Sequence, residues 1–286
     1  MSLLQSIILG IVQGLTEFLP ISSSAHLVIV PYILGWHISE QSAFVFDVLV
    51  QLGTLLAVFA YFWNDLVQII LAFLKGLWQR KPFQDEYARL GWFLILATIP
   101  AGILGLLIKD QVEKAFSSPL ATGFFLLLTA ALLVIAERVG KRQRDLKAAT
   151  WVDALWMGIF QSIAIFPGVS RSGATISGGM NRNLDRISAA RFSFLMSVPV
   201  LLAAGLLATK DLLNTPNLGS LVTPILAGFI SAAIVGYLSI RWLLAYLTHR
   251  PLYIFAIYCL VVGILIILLS SAGFRTALLP GNLLAF

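Results

Sequence analysis

Gln13-Gly14-Leu15-Thr16-Glu17-Phe18-Leu19-Pro20-Ile21-Ser22-Ser23-Ser24-Ala25-His26 is the stretch on which the reading of this chain turns. It lies between two apolar runs, 3–12 and 27–34. An acid in the middle of a bilayer costs about 2.5–3.5 kcal/mol on insertion scales, so such a residue normally faces a polar cavity and acts there. A carboxylate, three hydroxyls and an imidazole in one apolar setting therefore point to a site. Gln13 and Glu17 are four apart and share a helical face. Pro20 breaks that helix, and Ser22 or Ser23 can cap the next, whose amides would face an anion. Ser23 and His26, three apart, would put a hydroxyl and an imidazole on one face of that second helix, the arrangement of a nucleophile and its base.

The surroundings are membrane protein. The 286 residues are 59% hydrophobic and only 11% charged, with mean hydropathy +0.93; soluble domains carry about 25% charged residues. The net charge of +6 is not a nucleic-acid signature, because the basic residues sit in short loops between apolar spans. The single cysteine, Cys259, lies inside an apolar run, which excludes a disulfide framework. The N-terminal run has no basic flank and leads into 13–26 rather than a small-residue cleavage site, so it reads as part of the mature chain.

Six runs are long enough to span a bilayer, at about 44–63, 90–108, 119–137, 192–209, 221–243 and 251–272. The stretches 3–35 and 152–181 differ. Each is interrupted by Pro, Gly and Ser, leaving arms too short to span, and such backbone is tolerated at membrane depth only inside protein or beside a water-filled cavity. They read as re-entrant helix pairs. With that assignment the loops at 64–89, 138–151, 182–191 and 241–250 share one side and carry fourteen Lys and Arg residues, while the other side holds only Lys109, Lys114, Lys210 and Arg275. The bias makes the first side cytoplasmic and puts both termini outside.

The second interrupted stretch contains Gly168-Val169-Ser170-Arg171-Ser172-Gly173-Ala174-Thr175. Gly10-Ile11-Val12-Gln13 aligns with Gly158-Ile159-Phe160-Gln161, and without a gap Phe18 meets Phe166, Ser22 meets Ser170 and Ser24 meets Ser172. Farther on, Phe46-Asp47-Val48-Leu49 resembles Phe192-Ser193-Phe194-Leu195. The expected fold is an all-α polytopic membrane protein. One membrane domain over 1–286 holds six transmembrane helices and two re-entrant pairs, in an inverted-topology repeat of about 1–148 and 149–286. The two tips would then converge and bring Glu17 to Arg171. Taken singly, either polar island is an ordinary capped turn; their register within the repeat makes them one site. Arg171 offers a planar fork for phosphate oxygens, and Gln13, Ser22, Ser170, Ser172 and Thr175 offer further polar contacts. Asp47 and Asp153 are the nearest competing acids, while His37 and His249 read as interfacial. Protein alone makes a poor metal site here, although a diphosphate could hold an ion with Glu17 or Gln13 in support.

The motif 17–23 within 13–26, together with Pro167 and 168–175, resembles the undecaprenyl-diphosphate phosphatases, also called bacitracin-resistance proteins. The likeness extends over essentially the whole chain. It implies an enzyme of the bacterial inner (plasma) membrane, with its active site opening to the outer face. Such an enzyme removes the terminal phosphate of undecaprenyl diphosphate to recycle the lipid carrier for cell-wall synthesis, using a divalent cation (Mg2+ or Ca2+). By position the family's glutamate, serine, histidine and arginine fall on Glu17, Ser23, His26 and Arg171, with Ser170 and Thr175 on phosphate-contacting positions. Some members have glutamate where this chain has Gln13. The partners implied are a polyprenyl diphosphate lipid and the bilayer, without nucleic acid; oligomeric state, a homodimer included, stays open. Attack by Ser23 with His26 as base, by His26 itself or by activated water are all compatible with the spacing. A polyprenyl-phosphate flippase or secondary transporter is the alternative from another class.

Overall fold

The computed structural model describes the backbone of residues 1–36, 38, 40–108, 111–112, 115, 118–213 and 218–272. His37, Lys109, Lys114 and Arg275 lie outside the described residues, as does the side chain of Lys210. Among the described residues the chain is helical: α1 Leu3–Phe18, α2 Ser23–Ile33, α3 Glu40–Tyr61, α4 Trp63–Trp78, α5 Glu86–Leu107 and α6 Pro119–Val139. A 3-10 turn at Leu146–Ala148 precedes α7 Trp151–Ile163, α8 Arg171–Asn181, α9 Arg186–Leu213, α10 Leu218–Leu247 and α11 Tyr253–Ser271.

Five helices (α5, α6, α9, α10 and α11) are long and apolar enough to cross a membrane, and α3 joined to α4 makes a sixth candidate. The two interrupted stretches fold as helix–turn–helix pairs. The arms α1 and α2 have 16 and 11 residues, and α7 and α8 have 13 and 11. At 1.5 Å per residue none exceeds about 24 Å, short of the roughly 30 Å hydrocarbon core.

One segment departs from the sequence reading. The stretch 64–89 was expected as a loop, but most of it is α4, set at 82° to α3. The break falls at Phe62, which has non-helical backbone and no side-chain cap, and whose ring is buried against Tyr61 and Phe194. Leu66 and Ile69 are buried while Ile70, Leu71, Leu74 and both terminal tryptophans are exposed. Asp65, Gln68 and Lys75 dilute the hydropathy without breaking helical periodicity.

Helices meet where small residues let their backbones approach. Gly10 and Gly14 of α1 lie against Gly228 and Gly236 of α10; a Cβ on Gly14 would stand 2.8 Å from the Gly236 nitrogen. Gly158 of α7 lies against α5 in the same way, where a Cβ would be 2.5 Å from the Ala97 carbonyl oxygen. Gly123 of α6 and Gly263 of α11 face each other across a third such seam. The arm α8 is wrapped by α6, α7 and α9 and is buried from Ser172 to Met180.

At the end of the molecule that carries the basic loops, three acids hold the helices together. Glu137 accepts from Arg142 at 2.5 Å, from Arg186 through two bonds of 2.8 and 2.6 Å, and from the Leu252 amide at 2.8 Å. Asp153 closes a capping box with Thr150 and accepts from Arg144 and Arg182 at 2.6 and 2.9 Å. Asp65 accepts from Arg191 Nη2 at both carboxylate oxygens, each at 3.0 Å. Asp153 is thus occupied in structure.

Candidate functional site

Pro20 shapes the first turn. The residue before a proline is driven out of helical backbone, and Leu19 is extended at φ −64°, ψ 140°. The chain turns through Pro20 and Ile21 and re-enters a helix at Ser23 by way of Ser22, whose φ of 71° is left-handed. That conformation costs a residue with a Cβ about 1–2 kcal/mol and persists only where surrounding structure holds it. The second turn uses Gly168 at φ 97°, packed so closely on the Thr122 carbonyl that a side chain has no room. Thr129 of α6 secures it, donating to the Gly168 carbonyl at 3.1 Å and accepting from the Ser170 amide at 3.0 Å. Ser170 then caps α8, its hydroxyl accepting from the Gly173 amide at 3.1 Å.

The two turns meet. Ser172 donates to the Leu19 carbonyl at 3.1 Å, and Arg171 donates to Glu17 Oε1 at 3.1 Å. Glu17 Oε2 accepts from Gln13 Nε2 at 3.0 Å and from the Ser23 hydroxyl at 2.7 Å. One carboxylate therefore gathers an amide, an alcohol and a guanidinium, and its side chain is only 8% exposed, with Arg171 at 14%. Arg171 also donates to the Ser193 carbonyl at 3.2 Å. Thr175 bonds the Ser193 hydroxyl at 2.6 Å and its own helix at the Arg171 carbonyl, 2.7 Å. Phe18, fully buried, braces this end of α1 edge-on against Phe194.

Glu17, Ser22, Ser23, Ser24, Ser170 and Arg171 line one cavity of about 170 Å3, with Thr16, Gln51 and apolar Ala164, Ile165, Val169 and Leu201 completing it. The first residues of α2 and of α8 both line this space, so the positive ends of two helix dipoles and a guanidinium border it, an arrangement suited to an anion. A larger cavity of about 440 Å3 lies among Asp65, Arg89, Lys147 and Arg191. There Asp65 pairs with Arg191, and Arg89 donates to the Lys147 carbonyl. The hydroxyls, carboxylate and guanidinium of the two turns line the smaller one.

His26 is not where its spacing from Ser23 put it. Its Nδ1 bonds the Ser22 carbonyl at 2.7 Å and its Nε2 bonds the Tyr258 hydroxyl at 2.6 Å, while Ser23 bonds Glu17. Helical side chains lean back over the preceding turn. Ser23, first in its helix, leans towards Glu17, and His26 leans towards Ser22. Among the expected residues, Glu17, Gln13, Ser23 and Arg171 form one hydrogen-bonded group, while Ser170, Ser172 and Thr175 build the second turn behind it. His26 faces a neighbouring apolar cavity with Tyr258 and Ile29. Thr129, Ser193 and Tyr258 were missed. Ser193 was within reach, since the repeat pairs it with Asp47; the others carry no local signal. Asp47 stands one turn before cavity-lining Gln51 on α3. His249 is exposed beyond α10.

A divalent cation is a poor fit to these side chains alone. Glu17 is the only acid lining the cavity, both its oxygens are engaged, and a guanidinium stands beside it. Among the described residues no group of three or more His, Cys, Asp or Glu could hold an ion.

Fold and site together define a polytopic helical membrane protein with a small polar cavity built from two helical turns. The family model for the bacitracin resistance protein BacA matches residues 6–265, and the chain belongs to that family. It is 47% identical over 283 residues to an undecaprenyl-diphosphatase of Chlorobium phaeovibrioides, covering 96% of this chain and 99% of that protein. Proteins of the same name from Methanosphaera stadtmanae and Myxococcus xanthus are 43% and 40% identical, covering 94% and 96% of this chain and 99% and 91% of theirs.

Proposed function

We infer that this chain is an integral membrane phosphatase that hydrolyses undecaprenyl diphosphate to undecaprenyl phosphate and inorganic phosphate, recycling the lipid carrier for cell-wall synthesis. The observation that carries the chemistry is the Ser23 hydroxyl, 2.7 Å from Glu17 Oε2 in a cavity that also holds Arg171. In our reading the diphosphate draws Arg171 from Glu17 onto its oxygens, where the guanidinium and the helix-end amides offset charge that develops in the transition state. Ser23 Oγ forms a bond to the terminal phosphorus and its proton passes to Glu17. The bridging P–O bond breaks and undecaprenyl phosphate leaves. Water then hydrolyses the phosphoserine and releases inorganic phosphate. This assigns the proton to the carboxylate that the hydroxyl touches rather than to His26.

The same proposal includes the architecture: one membrane domain, two inverted repeats of about 1–148 and 149–286, and two re-entrant pairs whose tips make the cavity. The packing of α1 on α10 and of α7 on α5 supports it, because Gly10 and Gly158 are repeat-related and each meets a backbone carbonyl of its neighbour. With the basic loops facing the cytoplasm, both termini and the mouth of the cavity face outwards across the plasma membrane.

The test is release of inorganic phosphate from undecaprenyl diphosphate by the purified protein in detergent. Steady release that disappears in Ser23→Ala is expected. A wild-type protein that binds the lipid and releases none would be a transporter or flippase, and near-normal release by Ser23→Ala would remove serine from the nucleophile's place.

A further inference from the structure

Ser22 holds a left-handed backbone, φ 71°, one residue before the proposed nucleophile, and something must keep it there. Its carbonyl accepts from His26 Nδ1 at 2.7 Å. A carbonyl cannot donate, so Nδ1 carries the hydrogen, and in the neutral ring Nε2 is left with its lone pair. The Tyr258 hydroxyl, 2.6 Å away, then donates to Nε2. The two rings stack at 5.6 Å and 15°. Tyr258 comes from α11, and its neighbour Cys259 donates to the Pro20 carbonyl at 3.5 Å. Two consecutive residues of a distant helix therefore grip the same turn, one directly and one through an imidazole.

We propose that Tyr258 is a positioning residue of this site: through His26 it holds the left-handed turn at Ser22 and thereby aims Ser23 at Glu17. The proposal rests on the reading of Ser23 as nucleophile. Tyr258 and His26 touch no reacting atom; they fix the backbone from which the reacting hydroxyl springs. With the hydroxyl removed, the Ser22 carbonyl still calls for hydrogen on Nδ1, but Nε2 loses its donor and the imidazole is held at one end only, so the turn at Ser22 is less firmly fixed.

The test is Tyr258→Phe, read two ways. The chain has three histidines, so imidazole 15N spectra of the protein in detergent are assignable, with His26→Gln identifying the His26 resonances. Wild-type protein is expected to show His26 with hydrogen on Nδ1 and an Nε2 resonance displaced by the hydrogen bond it accepts; Tyr258→Phe is expected to lose that displacement, while Cys259→Ala keeps it. In undecaprenyl diphosphate hydrolysis, kcat of Tyr258→Phe is expected to fall about fivefold to tenfold, the value of one hydrogen bond, with KM unchanged. An unchanged Nε2 resonance in Tyr258→Phe overturns the proposal, and so does a changed one with kcat within twofold of wild type. Wild-type protein that releases no phosphate sinks the phosphatase reading itself, a result plainly different from either.

Discussion

Glu17→Gln separates the acid's chemistry from its structural work. Gln13 and Ser23 donate to Oε2 and Arg171 donates to Oε1. The amide of the variant has one acceptor and one donor end. Its oxygen must face Arg171, because an NH2 there would set donor against donor. The NH2 then faces Ser23, whose hydroxyl can rotate to accept, and Gln13, whose Oε1 is buried and without a partner. A flip of Gln13 brings that oxygen round. The flip leaves the Gln13 NH2 buried where its unpartnered Oε1 stood, so the number of stranded groups does not rise, for a stability change of about 1–2 kcal/mol, chiefly from weakening the bond to Arg171. Proton transfer has no such remedy. An amide cannot take the Ser23 proton, and loss of a general base typically lowers a rate by about 10²–10⁴. The assay pairs phosphate release from the polyprenyl lipid with the thermal midpoint in detergent. Expected are a midpoint near wild type and a rate down by at least about a hundredfold. A variant that keeps its fold and stays within tenfold of wild-type rate would refute the assignment of Glu17 as proton acceptor.

Two further perturbations probe other parts. Arg171→Lys keeps the charge but loses the planar fork that reaches Glu17 and the Ser193 carbonyl together, so kcat/KM should fall by roughly tenfold or more with modest loss of stability; unchanged kinetics would mean the fork is not used on phosphate. Gly158→Ala puts a Cβ 2.5 Å from the backbone oxygen of Ala97, which must shift the α5–α7 seam and cost about 1–3 kcal/mol. A midpoint equal to or above wild type would show that the seam has slack.

The interrupted stretches were legible because a bilayer sets a length that their arms cannot meet, and Pro20, Pro167 and Gly168 mark where each one turns. The meeting of Glu17 and Arg171 followed from one charged turn in each half of the chain; position by position Arg171 matches Ser23 and Glu17 matches Ile165, so the turns correspond although the two charges do not. What escaped was direction. Spacing puts Ser23 and His26 on one helical face, but Ser23 opens its helix and its side chain reaches back across the turn. The helix α4 is hidden from hydropathy by Asn64, Asp65, Gln68 and Lys75, which lower it. Leu66, Ile69, Ile70, Phe73, Leu74 and Leu77 nonetheless keep the helical period of an amphipathic segment. Nothing local could have linked His26 to Tyr258, which lies 232 residues farther along.

The acids clasped by Arg142, Arg144, Arg182, Arg186 and Arg191 give those arginines two duties. In the orientation proposed above they belong to the basic loops that the positive-inside rule keeps on the cytoplasmic side. There Glu137, Asp153 and Asp65 claim them, and the address label becomes the rivet. Swapping one of these arginines for a neutral residue would therefore disturb both the choice of orientation and the strength of the finished joint.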